Sequence, residues 1–305
     1  MTAIPLSSRL ILGLLSIRPL AAIAKHQARR MIISRAETLG IPWRAEVERL
    51  RAYQTQWEQN LAEISEPDLA YPDYYCRAFH AYDEGNLGWT PALELDVATR
   101  AVHARLWPTD DGRGNVQGDA LLRQAYHQAL QANLPQPPQI SLDLGCSAGA
   151  STAALQQAFP GSRAIGLDLS PYFLVVARHG FGDSPNLSWR HAAAEATGLA
   201  PESVDLVSAF LVFHELPQSA AIAVLREARR VLRPGGHIAL MDMNPGSAAY
   251  SKMPAYVRTL LRSTEPYLDE YFTFDLEAAI AEAGFERPTV VTTSPRHRAL
   301  IAQVC

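Results

Sequence analysis

One stretch of the chain combines an acid, glycines and small residues at a spacing that suits ligand binding: Leu142-Asp143-Leu144-Gly145-Cys146-Ser147-Ala148-Gly149-Ala150-Ser151. An apolar strand ends at Asp143-Leu144. Small residues then let the backbone turn sharply and approach a ligand, and a helix starting near Gly149 offers free N–H groups. A diphosphate fits this turn badly. The dinucleotide fingerprint wants glycine at loop positions one, three and six, where this chain has Gly145, Ser147 and Ala150. A Walker loop needs Gly-Lys-Ser/Thr, and the lysine is missing. The next strand ends Ile165-Gly166-Leu167-Asp168-Leu169-Ser170. An acid there can accept hydrogen bonds from ribose hydroxyls, and Leu169 can cover an adenine face. The two strand ends together describe a nucleoside with a small polar tail. The plainer alternative is that Asp168 only caps the helix starting at Pro171.

A second group lies further along. Phe213-His214-Glu215 follows the fourth strand, where His214 can serve as a general base with a pKa near working pH, or can simply cap and pack. His80, Tyr82, Asp83 and Glu84 sit in a segment, Asp68 to Trp89, that is aromatic and polar at once and has neither helical nor strand periodicity. Acids among aromatics in an irregular stretch suit a lid that orients an acceptor. The competing reading is an ordered aromatic plug with satisfied hydroxyls. Asp242 and Asn244 end the fifth strand and border the same opening. Cys146 has no basic neighbour in its motif, so it reads as a small loop residue and not a nucleophile. No cluster with metal-ligand spacing appears, and no metal is expected.

These residues must be positioned by a chain of 305 residues, 48% hydrophobic, which is long enough for a sizeable core. With 27 basic against 31 acidic side chains, the net charge of −4 excludes a generally basic nucleic-acid binder. Three cysteines, Cys76, Cys146 and Cys305, form neither a disulfide framework nor a zinc pattern, which points to a reducing, cytoplasmic compartment. Residues 1–36 carry six basic side chains and no acidic one among apolar residues. That is a basic amphipathic arm, suited to an anionic membrane surface or to packing on its own domain. Arg18-Pro19 interrupts its apolar run, so no transmembrane helix is expected.

Periodicity places helices over 43–65, from Thr90-Pro91, and over Asp119–Leu134, ending in a linker with Pro135, Pro137 and Pro138. Beyond it strands and helices alternate. Strands are predicted at Ile140–Leu144, Ala164–Leu169, Leu187–His191, Val204–Val212 and His237–Met243. Helices are predicted at Gly149–Phe159, Ser170–His179, Leu216–Leu232 and Asp275–Ala283, before closing strands at Thr289–Thr293 and Leu300–Val304. This alternation means an α/β, doubly wound, mostly parallel sheet of seven strands, whose last two pair antiparallel across Ser294-Pro295. Ligand then binds at the carboxyl ends of the central strands.

Residues 136–305 resemble the class I S-adenosylmethionine-dependent methyltransferases, with a Rossmann-like fold. Asp143-x-Gly145-x-x-x-Gly149 resembles the family's first motif, with Ser147 in place of a common central glycine. Asp168 matches the ribose-binding acid, and Glu195 in Ala194-Glu195-Ala196-Thr197-Gly198-Leu199 stands where the family usually has Asp facing the adenine amino group. Asp205–Val212, including Phe210, resembles the fourth strand, and Arg230-Val231-Leu232-Arg233-Pro234-Gly235-Gly236 the turn into the fifth. The amino-terminal half, with Tyr71-Pro72-Asp73-Tyr74-Tyr75 and Phe79-His80-Ala81-Tyr82-Asp83-Glu84-Gly85-Asn86-Leu87, resembles a methyltransferase subgroup of photosynthetic organisms.

The expectations follow. Residues 1–135 form a helical arm and lid, and 136–305 bind S-adenosylmethionine through Asp143, Gly145, Ser147, Gly149, Asp168, Leu169, Glu195 and Phe210. Methyl passes to oxygen or carbon of a small lipophilic acceptor, aided by His214, His80 and Tyr82. The alternatives are a catalytically silent binding module and an NAD-dependent oxidoreductase.

Overall fold

The computed structural model describes residues 18–80, 82–107, 109–110 and 112–305. Its centre is a seven-stranded sheet made by Ile140–Leu144 (β1), Arg163–Asp168 (β2), Leu187–His191 (β3), Val204–Phe210 (β4), Leu232–Met243 (β5), Thr289–Thr292 (β6) and His297–Gln303 (β7). The order is β3-β2-β1-β4-β5-β7-β6. β1 to β5 are parallel neighbours, while β7 runs antiparallel to both β5 and β6. Strand order reverses between β1 and β4, so a crevice opens at their carboxyl ends. Asp143, Asp168 and Leu211 all fall at that edge.

Alternation along the strands sorts the core into two layers. On one face Val207, Ile238 and Leu240 pack under Val224, Leu225 and Ala228 of the helix Gln218–Val231 and Ile280 of the helix Leu276–Glu282. On the other, Leu206, Ala239 and Met241 meet Tyr126 and Leu130 of the helix Gly118–Asn133 and Leu155 of the helix Ala150–Ala158. The helix Gly118–Asn133 thus covers the sheet although it precedes the proline cluster. Its Tyr126 hydroxyl lies 2.9 Å from Ser208 Oγ and donates to the Ala239 carbonyl at 2.9 Å.

The amino-terminal helices Arg18–Thr38, Trp43–Arg51, Gln54–Ile64 and Trp89–His103 gather around Ile41, Trp57, Leu93 and Val97. They close on Phe173, Val175 and Val176 of the helix Pro171–Phe181, which follows β2. Part of the basic arm packs on its own domain, since Arg29 pairs with the buried Glu94 and Ala36 is fully buried, while Met31 and Ile32 are exposed. Residues 1–17 of that arm lie outside the described residues. Among the described residues no helix is long and apolar enough to cross a membrane.

Several boundaries depart from expectation for local reasons. The helix expected over 43–65 breaks at Ala52-Tyr53, which re-aims Trp57 edge-on at His179, 4.8 Å between rings. β4 stops at Phe210 because Leu211 adopts a φ of 61°. β5 starts early, at Leu232, because the Pro-Gly-Gly turn is carried as a register shift opposite Val204 and Leu206. Three helices between β5 and the last helix, Ala248–Ser251, Ala255–Thr264 and Leu268–Thr273, were not anticipated. They bring Glu265 to the crevice.

Replacing Tyr126 by Phe deletes a fully buried hydroxyl that ties a helix to two strands. A loss of about 1–3 kcal/mol in denaturant unfolding is expected, with the m-value unchanged.

Candidate active site

The turn after β1 is built to leave its backbone bare. Gly145, Ser147 and Gly149 have φ of 63°, 49° and 86°. A Cβ on Gly145 would lie 2.7 Å from Val212 Cγ2, and one on Gly149 would lie 2.6 Å from the Trp189 ring. Asp143 is almost fully buried and accepts hydrogen bonds from the Ser151 and Thr152 hydroxyls at 2.6 and 2.7 Å. Burial pushes its carboxyl up to about 6, against those two hydroxyls. Asp143 and Gly149 therefore brace the turn from behind and do not line the crevice.

Gly145, Ser147, Asp168 and Leu169 do line it, facing Tyr74, Tyr75 and Phe79 of the aromatic segment across a cavity of ≈ 80 Å³. Asp168 is the hub. Its Oδ2 accepts from the Ser147 N–H at 2.8 Å, and its Oδ1 from the Ser170 N–H at 2.7 Å and the Tyr75 hydroxyl at 3.2 Å. Burial pushes this carboxyl up to about 6, with the Ser170, Ser147 and Tyr75 hydrogen bonds pulling the other way. Beside it the Tyr74 hydroxyl donates to Glu195 Oε1 at 2.5 Å, while Glu195 Oε2 is buried with no partner among the described residues. Burial, then Glu195, raises the Tyr74 phenol, and burial, then Asp168, the Tyr75 phenol, so both stay protonated donors. The Ser170 hydroxyl donates to the Asn86 carbonyl at 2.7 Å, which ties the aromatic segment to the helix after β2.

The far wall holds the imidazoles. His214 lies in a short 3-10 turn, Phe213–Glu215, after β4. Its Nδ1 sits 2.8 Å from Asp242 Oδ1, and its backbone N–H donates to Asp242 Oδ2 at 3.1 Å. Nε2 is left facing Glu215 Oε1 at 4.0 Å. His80 has a φ of 49° and donates its backbone N–H to the Thr264 carbonyl at 3.1 Å. Its Nε2 is 3.0 Å from Glu265 Oε1 and 3.7 Å from Glu215 Oε1. Burial opposes charge on His214, but Asp242, Glu215 and Glu265 carry its pKa up to about 10. Burial pushes Glu215 up to about 7, with His80 and His214 opposing. His80 is raised: burial lowers it and Glu265, then Glu215, more than reverse that.

The expected site is corrected at several residues. Asp242, Glu215 and Glu265 hold the His214 pKa above the near-neutral value expected of it. Tyr82 turns away, its hydroxyl donating to Glu94 Oε2 at 2.9 Å. Asp83 and Glu84 are exposed. Phe210 points to the opposite face, its ring 4.5 Å under the Arg123 guanidinium and 5.8 Å from Tyr126. Asn244 accepts from the Gly246 N–H within its own turn. Cys146 is buried, which pushes its thiol well up, as an inert loop residue requires. Glu265 was not foreseen, and Tyr74, Tyr75 and Glu215 were seen without being singled out. An aromatic pair preceded by Pro72 and Asp73, with Tyr75 93 residues from Asp168 in sequence, carries no local sign of what it touches.

Comparison with known proteins follows from this geometry. Residues 142–240 match the methyltransferase domain family. An uncharacterized methyltransferase of Synechocystis sp. is 30% identical over 172 residues, 56% of this chain and 76% of that protein. A ubiquinone biosynthesis O-methyltransferase of Xanthomonas oryzae pv. oryzae is 31% identical over 203 residues, 63% of this chain and 80% of that protein. Human N-acetylserotonin methyltransferase, solved in complex with S-adenosylmethionine, shares the fold with a TM-score of 0.51 and 17% identity, over 71% of this chain and 56% of that one. The chain belongs to the class I S-adenosylmethionine-dependent methyltransferases. Membership of that class makes S-adenosylmethionine the methyl donor, and the oxidoreductase alternative falls.

Gly145→Ala forces a Cβ onto Val212 at a positive φ, and a loss of about 1–3 kcal/mol in thermal or denaturant unfolding is expected. Adding Val212→Ala relieves the clash but not the backbone strain, so the double variant recovers part of that loss in the same assay.

Proposed function

We propose that the chain methylates an oxygen or carbon atom of a small lipophilic acceptor, with residues 1–135 as arm and lid over the sheet domain. One observation carries the reading: the wall that holds Gly145 and Asp168 runs continuously to Val212 and Glu215, beside His214 and His80. The residues fit the donor. Asp168 is an acceptor for ribose hydroxyls, the partnerless Oε2 of Glu195 suits the adenine amine, Leu169 suits its face, and the bare Gly145–Ser147 backbone suits the polar tail.

When bound, the donor supplies an electrophilic methyl group on a sulfonium, open to in-line displacement. The protein's part is to hold and exclude. Pockets for ligands of this size run to about 300–1,000 Å³, far above the cavity seen here, so Tyr74 and Tyr75 must yield the carboxylates they occupy. Phe79, Val212 and Leu216 then keep water from the reacting end, where Glu215 joins the lining to His80 and His214. The apolar and aromatic lining supports a lipophilic acceptor. The relative named for O-methylation in ubiquinone biosynthesis supports an oxygen atom.

The acceptor reading is tested by incubating the protein with donor labelled in its methyl group and a panel of phenols, quinols and small carboxylic acids. Label should move into the phenols or quinols, and exclusive labelling of the acids would refute a lipophilic acceptor.

Asp168 sets a pH dependence. Its carboxyl, at about 6, is raised above its ordinary value. In the ligand-free chain its contribution to stability is therefore complete below about pH 4 and is lost as pH rises through about 6. Donor hydroxyls need the ionised form, so donor affinity runs the other way. Calorimetry should give a dissociation constant that is flat above about pH 7 and rises up to about tenfold per unit below 6. Asp168→Asn should abolish that slope and weaken binding by about 1.5–3 kcal/mol at neutral pH.

A further inference from the structure

We infer that His80, His214 and Glu215 form a site for one divalent transition-metal ion, with Glu265 beside them as a fourth ligand, and that this ion takes an oxygen of the acceptor. The inference rests on the reading of the crevice as the place of methyl transfer.

The ligand atoms of His80, His214 and Glu215 all lie within 4.8 Å of one another, although they come from the aromatic segment and the turn after β4. Bonds of about 2.0–2.2 Å put neighbouring ligand atoms roughly 3–4 Å apart. The separations of 3.7 Å from His80 to Glu215 and 4.0 Å from His214 to Glu215 are in that range. Each imidazole is oriented. Asp242 holds Nδ1 of His214 and so turns Nε2 inward, the arrangement in which a carboxylate backs a metal-binding histidine. The Thr264 carbonyl anchors the backbone of His80.

Charge and an unmet valence agree. Asp242, Glu215 and Glu265 bring three carboxylates against two imidazoles in one largely buried cluster, an anionic surplus that a dication would balance. Glu265 is 7% exposed and its Oε2 has no hydrogen-bond partner among the described residues, while its Oε1 is already 3.0 Å from His80 Nε2. Two histidines with a carboxylate suit zinc, iron(II) or manganese(II), and leave coordination positions open for an exogenous oxygen.

A hydroxyl bound there is acidified by the ion. The acceptor O–H bond breaks and its proton leaves to water past the partly exposed His80. The oxygen lone pair forms the new O–CH₃ bond as the methyl–sulfur bond breaks, and the sulfonium leaves as a neutral thioether. Nothing is oxidised or reduced.

The test uses the full chain, stripped with a chelator and titrated with Co²⁺, reading visible d–d absorption, with calorimetry of S-adenosylmethionine binding run alongside. One equivalent of Co²⁺ should bind with d–d bands of ordered nitrogen and oxygen ligation. His80→Ala, on a partly exposed loop, and Glu215→Gln should each weaken it at least about tenfold, with donor affinity changed less than about twofold. No saturable Co²⁺ uptake by the wild-type chain, or uptake unaltered in both variants, overturns the metal site and leaves the donor reading standing. Co²⁺ uptake without donor binding does the reverse.

Discussion

The carboxylate of Asp168 is the constraint on which the rest of the crevice depends. It ends β2, and its two oxygens collect the Ser147 N–H, the Ser170 N–H and the Tyr75 hydroxyl. Those donors belong to the turn after β1, the helix after β2 and the aromatic segment far upstream. One buried group thus ties three parts of the chain together, and a charge in such a place is tolerated only when it is well hydrogen-bonded. In the proposed donor complex, a ligand's hydroxyls would take the place of some of these donors.

A similar economy runs through the opposite wall. Asp242 closes β5 and turns His214, while the loop before Tyr267 sets Glu265 against His80. Both walls are therefore polar, buried and held by strand ends, and the apolar layers of the sheet lie below them. The sheet's contribution is rigidity: the helices Gln218–Val231 and Gly118–Asn133 clamp it from its two faces. Side chains at its carboxyl edge inherit that fixity.

The sheet was legible because alternation of apolar strands with helices is written locally. β1 and β3 begin and end where periodicity put them, at Ile140–Leu144 and Leu187–His191. One wall of the crevice was legible too, since Gly145, Ser147, Asp168 and Leu169, which line it, are adjacent to strand ends and their neighbours constrain their geometry. What escaped depends on long-range packing. Tyr82 and His80 are two residues apart, yet one turns to Glu94 and the other to Glu265. Phe210 and Leu211 differ only in which face a strand residue takes at the point where it ends. Glu265 caps one of a run of short helices, and its partner is found only after the chain has folded. His214 follows β4 as read, but two of the three carboxylates around it, Asp242 and Glu265, come from distant parts of the chain.

The tyrosine pair makes the crevice a lock already holding a dummy key. Tyr74 and Tyr75 are tethered to the carboxylates they occupy, so they compete at high effective concentration with anything arriving from solution. Apparent affinity is then the intrinsic affinity discounted by the fraction of molecules in which the phenols have let go. The discount falls equally on donor and on spent donor, so it speeds clearance of product as much as it slows loading. Occupancy in such a molecule tracks the supply of the incoming nucleoside instead of saturating at trace levels.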